Sequence, residues 1–231
     1  MSAASPRSAQ YAPLLVKPPK MKSEFLELNN LQIEHFEESK EESKEESKKS
    51  ALVKSFNETT QKKLIISNSI LNPAKIKCIE QLINESKPEV FSLSLRNISF
   101  EEPEHADNLS NLLNNLSQNR KFIHRLSIRD TNINTSNFFN DLVNFIKESS
   151  QLVYLVLTNV QLSMQNCELL LIAIAEKQKD LLITDINLTV DNFNNEKFIE
   201  LRERHDELKN ITITINGNTF GIDIGCKCVI M

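Results

Sequence analysis

A cysteine stands fourth from the end of this chain, in the stretch Gly225-Cys226-Lys227-Cys228-Val229-Ile230-Met231. Two aliphatic residues and a methionine follow it, and a second cysteine sits just before it. The chemistry open to these thiols is alkylation to a thioether at Cys228 and acylation at Cys226. Other chemistry finds no foothold. The histidines at 35, 105, 124 and 205 are scattered, with no ligand or triad partner by spacing. No pair of carboxylates is spaced to converge for acid–base work. The glycines, at 217, 221 and 225, form no phosphate-cradling loop. Cys78 and Cys167 fall in predicted helices, where a free thiol is usually a small core residue. The cysteine spacing gives neither a disulfide framework nor a metal site. These residues predict no enzyme, no cofactor and no metal.

Cys228 to Met231 reads as a C-a-a-X box, and the terminal Met favours farnesyl. This ending resembles that of Ras-type small GTPases, over four residues. The resemblance implies S-farnesylation of Cys228, loss of Val229, Ile230 and Met231, and methylation of the new carboxylate. It also implies a farnesyltransferase and a prenyl-binding carrier as partners. A single lipid binds a membrane only reversibly, at about 0.8 kcal/mol per buried CH₂. Only Lys227 is near enough to add attraction to anionic lipid. Cys226 is either a second anchor, by palmitoylation, or a bystander thiol. A frayed, unmodified end is the alternative for the whole segment.

A tail of this kind needs a body to tether. The stretch Leu152 to Leu162 reads L-x-x-L-x-L-x-N-x-x-L, a strand and a turn. Ser163 then stands at an N-cap position before an apolar helical run. One such unit cannot bury its own apolar face, so copies are expected. They are present. Residues equivalent to Leu155 are Leu26, Leu64, Leu93, Leu126, Ile186 and Ile213, each followed by apolar residues two and seven positions on; at the fourth position stand Asn30, Asn68, Asn97, Asp130 and Asn159, then Val190 and Gly217. From Leu64 onward the anchors are 29, 33, 29, 31 and 27 residues apart. The first interval is 38 residues and contains a duplicated Glu-Glu-Ser-Lys tract.

The pattern resembles the leucine-rich repeats of the ribonuclease-inhibitor-like kind, over roughly residues 26–220. That resemblance implies an α/β solenoid of about seven repeats, with parallel strands on a concave face and helices on the convex one. One departure is clear. The family places Asn or Cys five residues after the anchor, whereas here Asn comes one residue earlier in Asn30, Asn68, Asn97 and Asn159. An inward Asn there could still bond the backbone of the next turn. An unrelated α/β fold with repeated strand–helix pairs is the alternative.

The elements flanking the repeats follow in order. Residues 1–24 read as a disordered lead, and residues 25–220 as the repeat domain. The tract at 37–50 is nearly all Glu, Ser and Lys, a solvated helix extension or floppy insertion rather than an interaction tract. Residues 221–231 form a flexible tail. Asn72, Asn134, Ser163 and Asn194 are expected helix caps, and Pro73 suits a first helical position. Buried stripes are expected at Ile76, Ile79, Leu82 and Ile83, at Leu109, Leu112, Leu113 and Leu116, at Phe138, Leu142, Phe145 and Ile146, and at Phe198, Leu201 and Leu208.

On the concave face, strand alternation gathers Arg96, Arg125, Arg129 and Tyr154, with Asp185 beyond them. Arg and Tyr are enriched at binding hot spots. The face is either a site for an unidentified protein partner or an ordinary polar sheet surface. Net charge is −4, which argues against nucleic acid. No run of 18 apolar residues spans a bilayer, and no signal-peptide core opens the chain. Repeats of this kind ending in a C-a-a-X box resemble secreted effectors of intracellular bacteria such as Legionella. That resemblance implies a non-enzymatic binding module, farnesylated by a host enzyme and held on the cytosolic face of host membranes. A soluble scaffold or ubiquitin-ligase adaptor without lipid is the alternative.

Overall fold

The computed structural model describes residues 24–29, 42–118, 120–134 and 136–221. Strands and helices alternate along them: β1 (Leu26–Asn29), α1 (Glu42–Glu58), β2 (Lys63–Leu71), α2 (Pro73–Glu85), β3 (Val90–Phe100), α3 (Ala106–Gln118), β4 (Phe122–Arg129), α4 (Ser136–Glu148), β5 (Tyr154–Ser163), α5 (Met164–Lys177), β6 (Leu182–Asp191), α6 (Asn195–Arg204), β7 (Ile213–Ile215) and β8 (Asn218–Phe220). All eight strands form one sheet in chain order. β1 to β7 pair in parallel and β8 returns antiparallel on β7. Crossovers of one hand in a serial order keep the helices in one layer, and α1 to α5 each touch the next. The expected alternation of strand and helix, and the parallel sheet, are present.

The leucine anchors align. Leu26, Leu64, Leu93, Leu126 and Leu155 are level with one another across five strands. All the expected helix stripes are buried, in one core with the inward strand residues. Leu208 belongs to a 3₁₀ turn, Asp206–Asn210, rather than to α6. Asn72, Ser163 and Asn194 each accept the expected backbone N–H, at 3.0, 3.2 and 3.0 Å. For Asn134 no cap bond to α4 is seen among the described residues. Its Oδ1 instead accepts from the Ser163 N–H at 2.7 Å, tying two neighbouring units together. The charged tract runs into α1, which starts at Glu42. At the far end of that helix Phe56 is fully buried, edge-on to Phe91 at 6.3 Å.

The early asparagine has a backbone reason. Asn68, Asn97, Asp130 and Asn159 all lie in the left-handed region, with φ of 49, 49, 50 and 51°. Asn and Asp tolerate that region better than other side chains with a Cβ. The kink shifts the alternation by one. Residues four past the anchor are exposed, and those five past it (Ser69, Ile98, Thr131, Val160) are buried. These four residues are therefore exposed rather than inward. Their side chains bond one another on the outside instead: Asn97 Nδ2 donates to Asn68 Oδ1 at 2.9 Å and Asn159 Nδ2 to Asp130 Oδ1 at 2.8 Å. Asn216, also at positive φ, meets a neighbouring backbone, donating to the Val190 carbonyl at 2.9 Å and accepting from its N–H at 2.8 Å. Inside, Thr131 Oγ1 accepts from the Ile98 N–H at 3.3 Å and donates to the Arg129 carbonyl at 2.7 Å.

This backbone carries a prediction. Asn97→Ala is expected to cost about 1 kcal/mol, while Asn97→Gly stays within a few tenths of wild type. Urea denaturation measures both, and a Gly variant weaker than the Ala variant would contradict the assignment.

Two elements depart from the repeat reading. Ile186 is level with Leu157, not with Leu155, because Leu155 pairs with Ile183. β5 kinks at Asn159, while positive φ near β6 comes only at Asn192. The ladder absorbs the mismatch in register shifts at Leu155/Val156 and Thr158/Val160. The last unit is not a full parallel copy. Asn216 and Gly217, with φ of 51 and 81°, turn the chain into the β7–β8 hairpin. Phe220 of β8 packs at 4.5 Å from the Phe198 ring.

Candidate functional site

Strand alternation sorts the non-core face into three rows. Residues just before the anchors are Lys63, Ser92, Arg125 and Tyr154, level across β2 to β5. Those just after are Glu27, Ile65, Ser94, Ser127 and Val156, with Asp185 continuing the row. Those three after include Ser67, Arg96, Arg129 and Thr158, continued by Asn187. The middle row is short and largely buried; the flanking rows carry long, half-buried side chains. Ile65 and Val156 are buried, yet neither belongs to the core packed against the helices.

Four cations thus stand on three adjacent strands: Lys63, Arg96, Arg125 and Arg129. With strands about 4.8 Å apart and residues about 3.3 Å apart, they span roughly 13 Å along the strands and 10 Å across them. Two of them are built alike. Ser94-Leu95-Arg96 and Ser127-Ile128-Arg129 lie in register. Arg96 Nε donates to Ser94 Oγ at 3.3 Å, and Arg129 Nε donates to Ser127 Oγ at 3.2 Å. Each serine holds its own guanidinium by the inner nitrogen and leaves the Nη groups facing outward, with no partner among the described residues. Arg125 lies over the Tyr154 ring at 5.7 Å, and His124 meets the same ring edge-on at 5.2 Å. Lys63 Nζ lies over Phe25 at 5.6 Å.

The charges are poorly compensated. Among the described residues, no carboxylate comes within ion-pair distance of these four side chains. Glu27 lies on the same face, and its Oε1 accepts from Ser67 Oγ at 2.8 Å. Burial holds the Lys63 ammonium below the usual lysine range, and Arg96, Arg125 and Arg129 push it the same way against Glu27. The arrangement can accept an oxyanion or a string of carboxylates.

The expected residues are largely brought together. Arg96, Arg125, Arg129 and Tyr154 share one face. Asp185 does not stand beside Tyr154, because the β6 register shift moves it level with Val156. There its Oδ2 accepts from Thr158 Oγ1 at 2.9 Å. Leu182, 57% exposed, takes the place beside Tyr154. Lys63 was missed, although the position before the anchor, applied one unit earlier, points to it. Cys226, Cys228 and Val229 to Met231 lie outside the described residues, as do residues 1–23, Asn30, Ile33 and 37–41.

Cys78 is half-buried and Cys167 is buried beneath α5. Burial, helped by Glu168, pushes the Cys167 thiol up to about 12 from 9.0. It is expected to resist iodoacetamide at pH 8 in the native protein and to react in urea, as read by peptide mass mapping. Native labelling at the rate of an exposed thiol would contradict its burial. A raised thiol pKa contributes stability that is fully present below pH 9.0 and is lost as pH rises toward about 12.

Among the described residues, no helix is long and apolar enough to cross a membrane, and no three His, Cys, Asp or Glu side chains gather as a metal site. No protein-family model matches the chain, and neither a curated protein nor a solved structure shows significant similarity to it.

Proposed function

We propose that this chain is a leucine-rich-repeat solenoid working as a non-enzymatic binding module. Its open sheet face receives a protein partner, and its end is tethered to the cytosolic side of host membranes by farnesylation of Cys228. The observation that carries the binding role is the cluster of Lys63, Arg96, Arg125 and Arg129, which has no ion-pair partner among the described residues. The repeat reading is supported by leucine anchors held level over five strands and by the recurring left-handed Asn or Asp step. The tether is supported by the residues themselves, since Cys228-Val229-Ile230-Met231 fits the farnesyl pattern. A single lipid needs reinforcement, and Cys226 offers a site for acylation two residues away. A transferase and a prenyl-binding carrier of the host cell complete the set of partners, as for an effector delivered from outside.

The test is fractionation of eukaryotic cells expressing the full chain, tagged at its N-terminus, beside Cys228→Ser. Membrane-bound wild type and a released variant support the tether. Equal distribution of the two chains leaves a soluble scaffold or adaptor as the function.

A further inference from the structure

The open face is read above as a surface for a protein partner, and the present inference rests on that reading and narrows it. The geometry points to the paired Arg96 and Arg129 as a twin clamp for an extended acidic peptide segment, one carrying a phosphorylated residue or two adjoining carboxylates. The two arginines are level on β3 and β4, about 5 Å apart at the backbone. Each is pinned by its inner nitrogen to the serine two residues before it. Pinning the Nε groups turns both outer forks toward solvent as a parallel pair. Parallel forks suit an oxyanion that takes two or more N–H bonds, and a guanidinium makes them with less loss of freedom than an ammonium.

The surroundings narrow the occupant to a peptide. Arg125 and Arg129 are four residues apart on one strand, so a few extended residues reach from one to the other at about 3.3 Å each. Arg125 is held over Tyr154, and the exposed Leu182 lies beside that ring. An acidic residue in the clamp thus leaves a neighbouring apolar one within reach of Tyr154 and Leu182. A flat anionic bilayer fits less well. The chain carries a net charge of −4, and Asp185 and Glu27 bound the cationic area on its own face. Repulsion from the rest of the chain opposes docking on a charged surface, whereas a short peptide meets only the local cations.

The experiment uses the full, unlipidated chain in solution, so its outcome is independent of the tether. Fluorescence anisotropy follows three peptides of one sequence: a central Ser, the same Ser phosphorylated, and a Glu-Glu pair in its place. Vesicles of phosphatidylcholine with phosphatidylserine serve as the membrane arm. The phosphorylated or the Glu-Glu peptide is expected to bind and to weaken as salt rises; which of the two binds identifies the source of the charge. Combined Arg96→Gln and Arg129→Gln should reduce that affinity by about tenfold to a hundredfold. The Arg96→Lys, Arg129→Lys pair keeps the charge and should fall between. An unchanged thermal transition shows that each variant is folded. Equal binding of all three peptides overturns the clamp while leaving a binding face. Retention on vesicles alone, full affinity in the Gln pair, or Lys variants equal to wild type also overturns it.

Discussion

Phe138→Ala is expected to destabilise the folded chain by about 3–5 kcal/mol, the range for removing a buried phenyl ring. Phe138 is 1% exposed and packs against the Phe100 ring at 5.8 Å. It thereby joins α4 to the end of β3, in the middle of the sheet. α4 touches α3 on one side and α5 on the other. In a chain whose units meet mainly their neighbours, a central defect weakens the couplings on both sides. Domains typically have about 5–15 kcal/mol in all. At about 2–4 °C per kcal/mol for a chain of this size, the midpoint should fall by roughly 6–20 °C. Leu182→Ala is the control: at 57% exposure it should change stability by no more than about 0.5 kcal/mol. Urea titration followed by circular dichroism decides. A loss under about 1 kcal/mol for Phe138→Ala would mean that this region does not belong to the shared core.

Cys228→Ser is expected to lower the membrane-bound fraction at least about tenfold. The lipid supplies the attraction at about 0.8 kcal/mol per buried CH₂, so its removal takes away several kcal/mol, and each 1.4 kcal/mol is tenfold. Little else replaces it. No described helix can span a bilayer, Lys227 is the only cation beside the box, and the net charge is −4. Cys226→Ser separates the two readings of the second thiol. A drop of intermediate size assigns it as a second anchor, and no change assigns it as a bystander. Carbonate-washed membranes and quantitative blotting give the fractions.

Much of the fold was legible because periodicity reports directly on burial. The stripes from Ile76 to Ile83 and from Leu109 to Leu116 repeat every three or four residues, and those side chains are buried. Caps were legible where an Asn or Ser immediately preceded the helix. Asn134 has the type and place of a cap, yet its Oδ1 accepts from Ser163, 29 residues away, a contact that no local pattern announces. The early Asn was visible but its meaning was not. Its value lies in φ rather than in where its amide reaches, and hydrophobic spacing carries no φ. The shift at β6 escaped for the same reason: Ile186, Leu188 and Val190 alternate well in either register. The hairpin did leave a signal, Asn216-Gly217 between Ile213-Thr214-Ile215 and Asn218-Thr219-Phe220.

The candidate site divides in the same way. Arg96, Arg125, Arg129 and Tyr154 come together because alternation places them and parallel pairing keeps them level. Asp185 moved with the strand that carries it. The serines at 94 and 127 looked like polar filler, and only the side-chain geometry shows them holding Arg96 and Arg129.

The most direct measurement is the intact mass of the full chain after incubation with a farnesyltransferase and farnesyl diphosphate. The expected result is one added farnesyl group, mapped to Cys228 and missing from Cys228→Ser. A chain that keeps its unmodified mass while a control substrate is fully farnesylated contradicts a membrane-tethered binding module.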